Sequence, residues 1–132
     1  MAGSIGFRAR LDRPYDEAVA AVRAALKEQG FGVITEIDVK ATVKEKLGQD
    51  FRRYVILGAC NPSLAHRALE ADPDVGLLLP CNVTVYEEGR GSVVAAVDPM
   101  VLAGLMEGET LRAVAEQARR GLRSAVEGLG KR

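Results

Sequence analysis

A hairpin pattern followed by one long amphipathic helix constrains the fold of this chain more than any other feature. Residues 77–87 and 92–97 have strand-like composition, and the segment 88–91, Glu-Gly-Arg-Gly, is a hairpin signal between them. From Thr110 to Leu129, apolar residues recur at helical spacing. The stripe consists of Leu111, Ala115, Ala118, Leu122, Ala125 and Leu129. A one-sided helix after a hairpin favours an antiparallel sheet covered by helices, the α+β class.

Short strand and helix patterns alternate in the earlier part of the chain. Ile5 to Leu11 and Phe31 to Val39 alternate apolar with polar residues, and Phe51 to Cys60 is apolar on both faces towards its end, which predicts an interior strand. Proline, capping and glycine signals place helices between them, in the order β-α-β-α-β-α-β-β-α. The residues expected to share one face of the second strand are Phe31, Val33, Ile37 and Val39.

Composition limits the classes of function. The 132 residues contain no repeat or linker, so we expect a single domain over residues 1–132. Because 18 basic side chains balance 18 acidic ones and aromatics are few, the chain lacks the charge pattern of a nucleic-acid binder. No apolar run is long enough to cross a bilayer, and residues 1–10 lack a signal-peptide pattern. We therefore expect a cytoplasmic protein with reduced thiols and no membrane partner.

Two Cys-Asn pairs contain all the cysteines and asparagines of the chain, Cys60-Asn61 and Cys81-Asn82. Each follows an apolar run, and a proline adjoins each pair. If the two strands are antiparallel neighbours, the end of one lies beside the start of the other. The pairs would then form a small polar, thiol-bearing spot in an apolar wall, where asparagine amides can orient a polar ligand.

Three interpretations of this spot stay open. In a purely structural one, cysteine fills space and Asn61 caps the helix that begins at Pro62. In a chemical one, the same helix start stabilises a Cys60 thiolate, and Cys81 is its resolving partner in a thiol-dependent enzyme or redox sensor. The third is a ligand pocket.

Metal and cofactor sites are not predicted. The two cysteines stand apart, and His66, the single histidine, falls on the exposed side of a predicted helix, so the ligand spacing of a zinc site is missing. No glycine pattern matches a nucleotide-binding loop. Glu36 and Asp38 share a strand face, which suits either acid–base chemistry or a solvated surface, and we include Glu36 among the candidate ligand-binding residues.

A family resemblance adds to this interpretation. The residues that carry it are Asp38-Val39, Lys44 to Gly48, Asp50-Phe51, Tyr54, Ile56 to Pro62, Ala68-Leu69, Gly76 to Val83, Tyr86-Glu87 and Asp98 to Met100. They closely resemble a widespread bacterial and archaeal family catalogued as domain of unknown function three hundred and two. The resemblance covers most of the chain and implies a curved antiparallel sheet that holds a long helix, similar in outline to helix-grip and TATA-binding-protein folds. It also implies a homodimer, but no activity.

We therefore expect a non-catalytic domain that binds a small ligand between the sheet and the C-terminal helix. The candidate ligand-binding residues are Cys60, Asn61, Cys81, Asn82 and Glu36. A thiol-dependent enzyme or redox sensor and a structural homodimer are the alternatives.

Overall fold

Within residues 5–130, which the computed structural model describes, five strands form one antiparallel sheet. The strands are β1 (Gly6–Leu11), β2 (Gly32–Asp38), β3 (Tyr54–Cys60), β4 (Cys81–Glu88) and β5 (Gly91–Val97). They lie in the order β1-β5-β4-β3-β2, and each neighbouring pair is antiparallel. β3 is an interior strand, as its apolar composition predicts.

The helices of the described chain lie between and after these strands. They are α1 (Tyr15–Glu28), α2 (Val39–Leu47), α3 (Pro62–Ala71), α4 (Pro99–Ala103) and α5 (Glu109–Gly130), with a 3₁₀ helix at Pro73–Leu78. The long helix α5 contacts α1, α3, α4 and β1. All six residues of its predicted apolar stripe are buried. The α+β class, with the C-terminal helix packed against an antiparallel sheet, is therefore confirmed.

The hydrophobic core lies on one face of the sheet, which we call the helix face. Its fully buried side chains include Leu57, Val83, Val85 and Val94 from the strands and Val22, Leu26, Leu122 and Val126 from α1 and α5. The opposite face, which we call the open face, carries residues of the alternate register. Of these, Arg8 is exposed, and Thr84 and Ala95 are half-buried.

A β-bulge changes the predicted faces of β2. Val33 pairs with Ala59 and Thr35 with Gly58, so Ile34 is an extra residue in the strand. The prediction that Ile37 shares the buried face of Phe31 and Val33 was wrong, because the bulge reverses the alternation. Ile37 instead pairs with Ile56 on the open face and is 50% exposed.

The composition of the apolar run before Cys81 predicts the start of a strand. In the structure, however, this run lies outside the strand, which begins at Cys81. Residues Pro73–Leu78 form the 3₁₀ helix. Asp72 is its N-cap, and Asp72 Oδ1 accepts a hydrogen bond from the Asp74 N–H at 2.9 Å. The side chains of Leu78 and Leu79 instead line the cavities described below. The third strand likewise begins at Tyr54, three residues after its predicted start.

The short helix α4 was not predicted. Asp98 initiates it, since Asp98 Oδ1 accepts a hydrogen bond from the Met100 N–H at 2.9 Å. Asp98 Oδ2 also accepts a hydrogen bond from Arg119 Nε at 3.1 Å. One carboxylate thus links the end of β5, the start of α4 and the middle of α5.

Candidate functional site

The two Cys-Asn pairs lie side by side at one end of the sheet, where β3 ends and β4 begins. β3 and β4 are antiparallel neighbours, and Ala59 pairs with Cys81 in their register. Cys60 is the next residue along β3, so the end of β3, at the first pair, adjoins the start of β4, at the second pair. The two pairs meet because these strands are antiparallel neighbours, and both cysteines are free thiols.

The first pair turns the chain from strand β3 into helix α3. Asn61 is the N-cap, and its Oδ1 accepts a hydrogen bond from the Leu64 N–H at 3.1 Å. Pro62 occupies the first turn, where its missing N–H leaves no intrahelical hydrogen bond unmade. Cys60 is half-buried at the end of the strand. Asn61 thus has the capping role, and it also lies at the edge of a cavity.

The second pair is divided between the two faces of the sheet. Because successive strand residues alternate, Cys81 is buried on the helix face and Asn82 is exposed on the open face. Burial raises the pKa of the Cys81 thiol to about 11, and the neighbouring Cys60 adds to the increase. At neutral pH Cys81 therefore remains protonated and is a poor nucleophile.

A cavity of about 330 Å³ lies between this end of the sheet and helices α3 and α5, and we call it the helix-side pocket. Its buried walls include Phe31, Leu64, Val75, Leu111 and Val114. Ile34 and Leu69 also line it and are 62% and 39% exposed, so the pocket opens to solvent on their side. Cys60, Asn61 and Cys81 supply its polar atoms, and no charged side chain is among the described residues that line it.

A close approach between α5 and Phe31 shapes one wall of this pocket. A Cβ atom at Gly121 would lie 2.8 Å from Phe31 Cε1. Glycine at this position lets the aromatic ring lie directly against the helix. Periodicity predicts that Phe31 is buried, but it assigns no role to Gly121, because the contact joins residues that are far apart in the sequence.

The other predicted site residues lie elsewhere. Glu36 is on the edge strand β2, half exposed, in an ion pair with Arg23 of α1, and it does not line the helix-side pocket. Asp38 caps α2, since its Oδ1 accepts a hydrogen bond from the Ala41 N–H at 2.9 Å. His66 is exposed on α3, with Nε2 3.7 Å from Glu70 Oε1.

Within the described residues 5–130, the histidine, cysteine and acidic side chains form no group of three or more that would hold a metal ion. None of the helices in this part of the chain is both long enough and apolar enough to span a membrane.

Comparisons with known proteins agree with the fold. A model of the family described as "Domain of unknown function DUF302" matches residues 7–129. A solved structure, described as the crystal structure of an uncharacterized conserved protein DUF302 from Bacillus stearothermophilus, covers 95% of this chain and 98% of its own, with a TM-score of 0.86 and 29% sequence identity. No curated protein matches the chain. Neither description names an activity.

Proposed function

The chain belongs to the DUF302 family, and we propose that its helix-side pocket binds a small, uncharged, mainly apolar molecule without catalysing a reaction. The observation that carries this proposal is a concave apolar space beside the paired Cys-Asn segments. Its volume of about 330 Å³ lies at the lower end of the range for small-molecule sites.

The wall chemistry supports an uncharged ligand. A carboxylate or ammonium group that entered the pocket would lose its hydration without meeting an opposite charge, and that cost is large in an apolar environment. Apolar groups, in contrast, gain from burial against Phe31, Leu64 and Val114. The ligand class is therefore an apolar body with few polar atoms.

Asn61 can orient one polar atom of such a ligand. Its Oδ1 is already occupied by the Leu64 N–H, which fixes the side-chain amide in place. The Nδ2 group is then the available donor, suited to a carbonyl or hydroxyl oxygen. A capping residue of this kind holds its donor in a constant position because the helix depends on the same side chain.

The raised pKa of Cys81 and the residues that line the pocket argue against thiol catalysis. Cys81 has a raised pKa and remains a thiol at neutral pH, so it is slow to attack or to resolve a mixed disulfide. Among the described residues that line the pocket there is no histidine, carboxylate or lysine to serve as a base. Ligand binding requires neither a general base nor an activated thiol, so the residues that line the pocket are sufficient for it.

A fluorescence titration tests the proposal. N-phenyl-1-naphthylamine is uncharged and apolar, and we expect saturable binding with increased fluorescence. Ala65→Leu adds volume at a half-buried position that lines the pocket, and we expect it to weaken binding roughly tenfold or more. Ala71→Leu on the same helix is the matched control, because Ala71 is exposed and does not line the pocket. Absent saturation, or equal losses in the two variants, would refute the proposal.

The edge of the sheet favours a second candidate role, as the interface of a homodimer. β2 has no strand partner on its outer side among the described residues, and Ile34 and Ile37 on it are 62% and 50% exposed. An edge strand with exposed apolar side chains can pair with another chain. Sedimentation velocity of the native protein and of Ile37→Lys tests this role, with a dimer expected only for the former.

A further inference from the structure

A second cavity, on the open face of the sheet, has a different chemistry. It has a volume of about 510 Å³, and we call it the open-face pocket. The 3₁₀-helix segment contributes Leu77 and Leu79 to its wall, and the strands contribute Arg8, Asn82 and Thr84. Asn82 thus lines this second pocket, whereas the other three residues of the two Cys-Asn pairs line the helix-side pocket.

The strand register sets the layout of the pocket. Arg8 pairs with Ala95, and Ala95 pairs with Thr84, so these three residues form one row across β1, β5 and β4. Strand spacing separates the first and last residues of the row by roughly 10 Å. The small side chain of Ala95 leaves a low floor between them. Asn82 lies two residues from Thr84 on the same face of β4.

Arg8 is the single charged residue among those described as lining the pocket. Its Nη1 donates a hydrogen bond to the Tyr86 hydroxyl at 3.3 Å, and it forms no ion pair with a described carboxylate. Arg10, two residues further along the same face, contrasts with it, because Arg10 Nη1 lies 3.0 Å from Glu88 Oε1. The charge of Arg8 is thus uncompensated at a concave, partly apolar site.

The polar side chains beside Arg8 also have unused hydrogen-bonding capacity. Tyr54, Asn82 and Thr84 make no side-chain hydrogen bond to another described residue, although all three line the cavity. Each carries a donor. One guanidinium and several neutral donors, without a carboxylate among the described lining residues, complement an anion.

We propose that the open-face pocket binds a small carboxylate with an apolar body. The carboxylate accepts hydrogen bonds from Arg8 and from the neutral donors of β4. The single positive charge of Arg8 matches the single negative charge of a monoanion. The apolar body lies against Leu77, Leu79 and Val97. The walls of the two pockets share Leu78, Leu79, Pro80 and Leu102, but Arg8, Asn82 and Thr84 line only the open-face pocket.

Calorimetric titration of the native protein with octanoate and with 1-octanol tests the proposal. The two probes share an apolar chain and differ in charge, so we expect octanoate to bind roughly tenfold more tightly at low ionic strength. Arg8→Gln should abolish that difference. Arg10→Gln is the matched control on the same strand and face, and it should retain the difference because Arg10 lies outside the pocket.

Two further variants separate the pockets from each other. Ala95→Leu raises the floor of the open-face pocket and should weaken octanoate binding, whereas Ala65→Leu, in the helix-side pocket, should leave octanoate binding unaffected. Thermal unfolding confirms that each variant is folded. The proposal is overturned if octanoate does not bind at millimolar concentration, if Arg8→Gln and Arg10→Gln act equally, or if only Ala65→Leu weakens octanoate. The last result would leave the helix-side pocket as the binding site.

Discussion

The two Cys-Asn pairs have the same residues and lie beside each other, yet the fold uses them differently. In the first pair the strand ends, and Asn61 caps α3 while Cys60 stays half-buried. In the second pair the strand begins, so alternation buries Cys81 and exposes Asn82 on the opposite face. A dipeptide therefore does not determine the environment of its side chains; the element that follows it does.

The two pockets extend this difference to ligand chemistry. The helix-side pocket contains Cys60, Asn61 and Cys81 and has no charged side chain among its described lining residues. The open-face pocket contains Asn82 and the unpaired cation Arg8. An environment suited to an uncharged molecule thus adjoins one suited to an anion, with Leu78, Leu79 and Pro80 in the walls of both.

The largest expected difference is in thiol reactivity. Because the pKa of Cys81 is raised to about 11 from 9.0, its thiolate fraction at pH 8 is about a hundredth of that of an ordinary thiol. In Cys60→Ser, which leaves Cys81 alone, iodoacetamide should react very slowly at pH 8, with a rate that rises up to about pH 11. In Cys81→Ala, the half-buried Cys60 should react faster.

The same pKa shift predicts how stability changes in alkali. Between about pH 9 and 11 the folded state keeps a proton that the unfolded chain loses. The contribution of Cys81 to the free energy of unfolding is therefore complete below pH 9 and decreases as the pH rises to about 11. Urea unfolding of the native protein and Cys81→Ala at both pH values measures it. Rapid alkylation of native Cys81 at pH 7 would contradict both expectations.

The next effect concerns the packing that holds the two strand ends together. Gly58 pairs with Asn82 across β3 and β4, and a Cβ atom there would lie 2.6 Å from Pro80 Cγ and also overlap Thr35 Oγ1. We expect Gly58→Ala to lower the free energy of unfolding by about 2 kcal/mol, because the proline ring cannot move aside without shifting the backbone.

Gly32→Ala provides the matched control for this prediction. Gly32 lies on the neighbouring edge strand, and a Cβ atom there would meet nothing within 4 Å. Chemical denaturation should therefore detect a change well under that of Gly58→Ala. Equal losses in the two variants would show that the glycine contributes through backbone conformation and not through contact with Pro80.

The smallest expected effects compare the two asparagines directly. Asn61→Ala removes the hydrogen bond from the Leu64 N–H to the N-cap, which should cost about 1 kcal/mol. Asn82→Ala removes an exposed side chain with no capping role, so stability should change by less than about 0.5 kcal/mol. Urea denaturation distinguishes them. A larger loss for Asn82→Ala would reverse the structural roles assigned to the two residues.

Much of the fold is predictable from local patterns. The stripe of α5, the cap Asn61 and most of the element order depend on residues close in sequence, where periodicity and capping chemistry act directly. The errors arise where local patterns are ambiguous. The bulge at Ile34 reverses the faces of β2, and the apolar run ending at Pro80 fits either a strand or a covering segment.

The candidate site was predictable only in part. Both cysteines and Asn61 lie at the helix-side pocket, as their proximity in neighbouring strands indicates. Asn82 and Glu36 lie outside it, and the wall residues of α3, α4 and α5 carry no local signal that they face the same space. Their convergence depends on helix packing between segments distant in the chain.

The sequence by itself determined most of the strands and helices and that the two Cys-Asn pairs would meet if β3 and β4 were neighbours. Those properties follow from hydrophobic periodicity and from capping within a few residues. Only the tertiary structure decided that Asn82 faces away from Cys81's pocket, that Arg8 lacks a carboxylate partner and that Phe31 closes against Gly121. These depend on strand register and on close packing between distant residues, which no local pattern records.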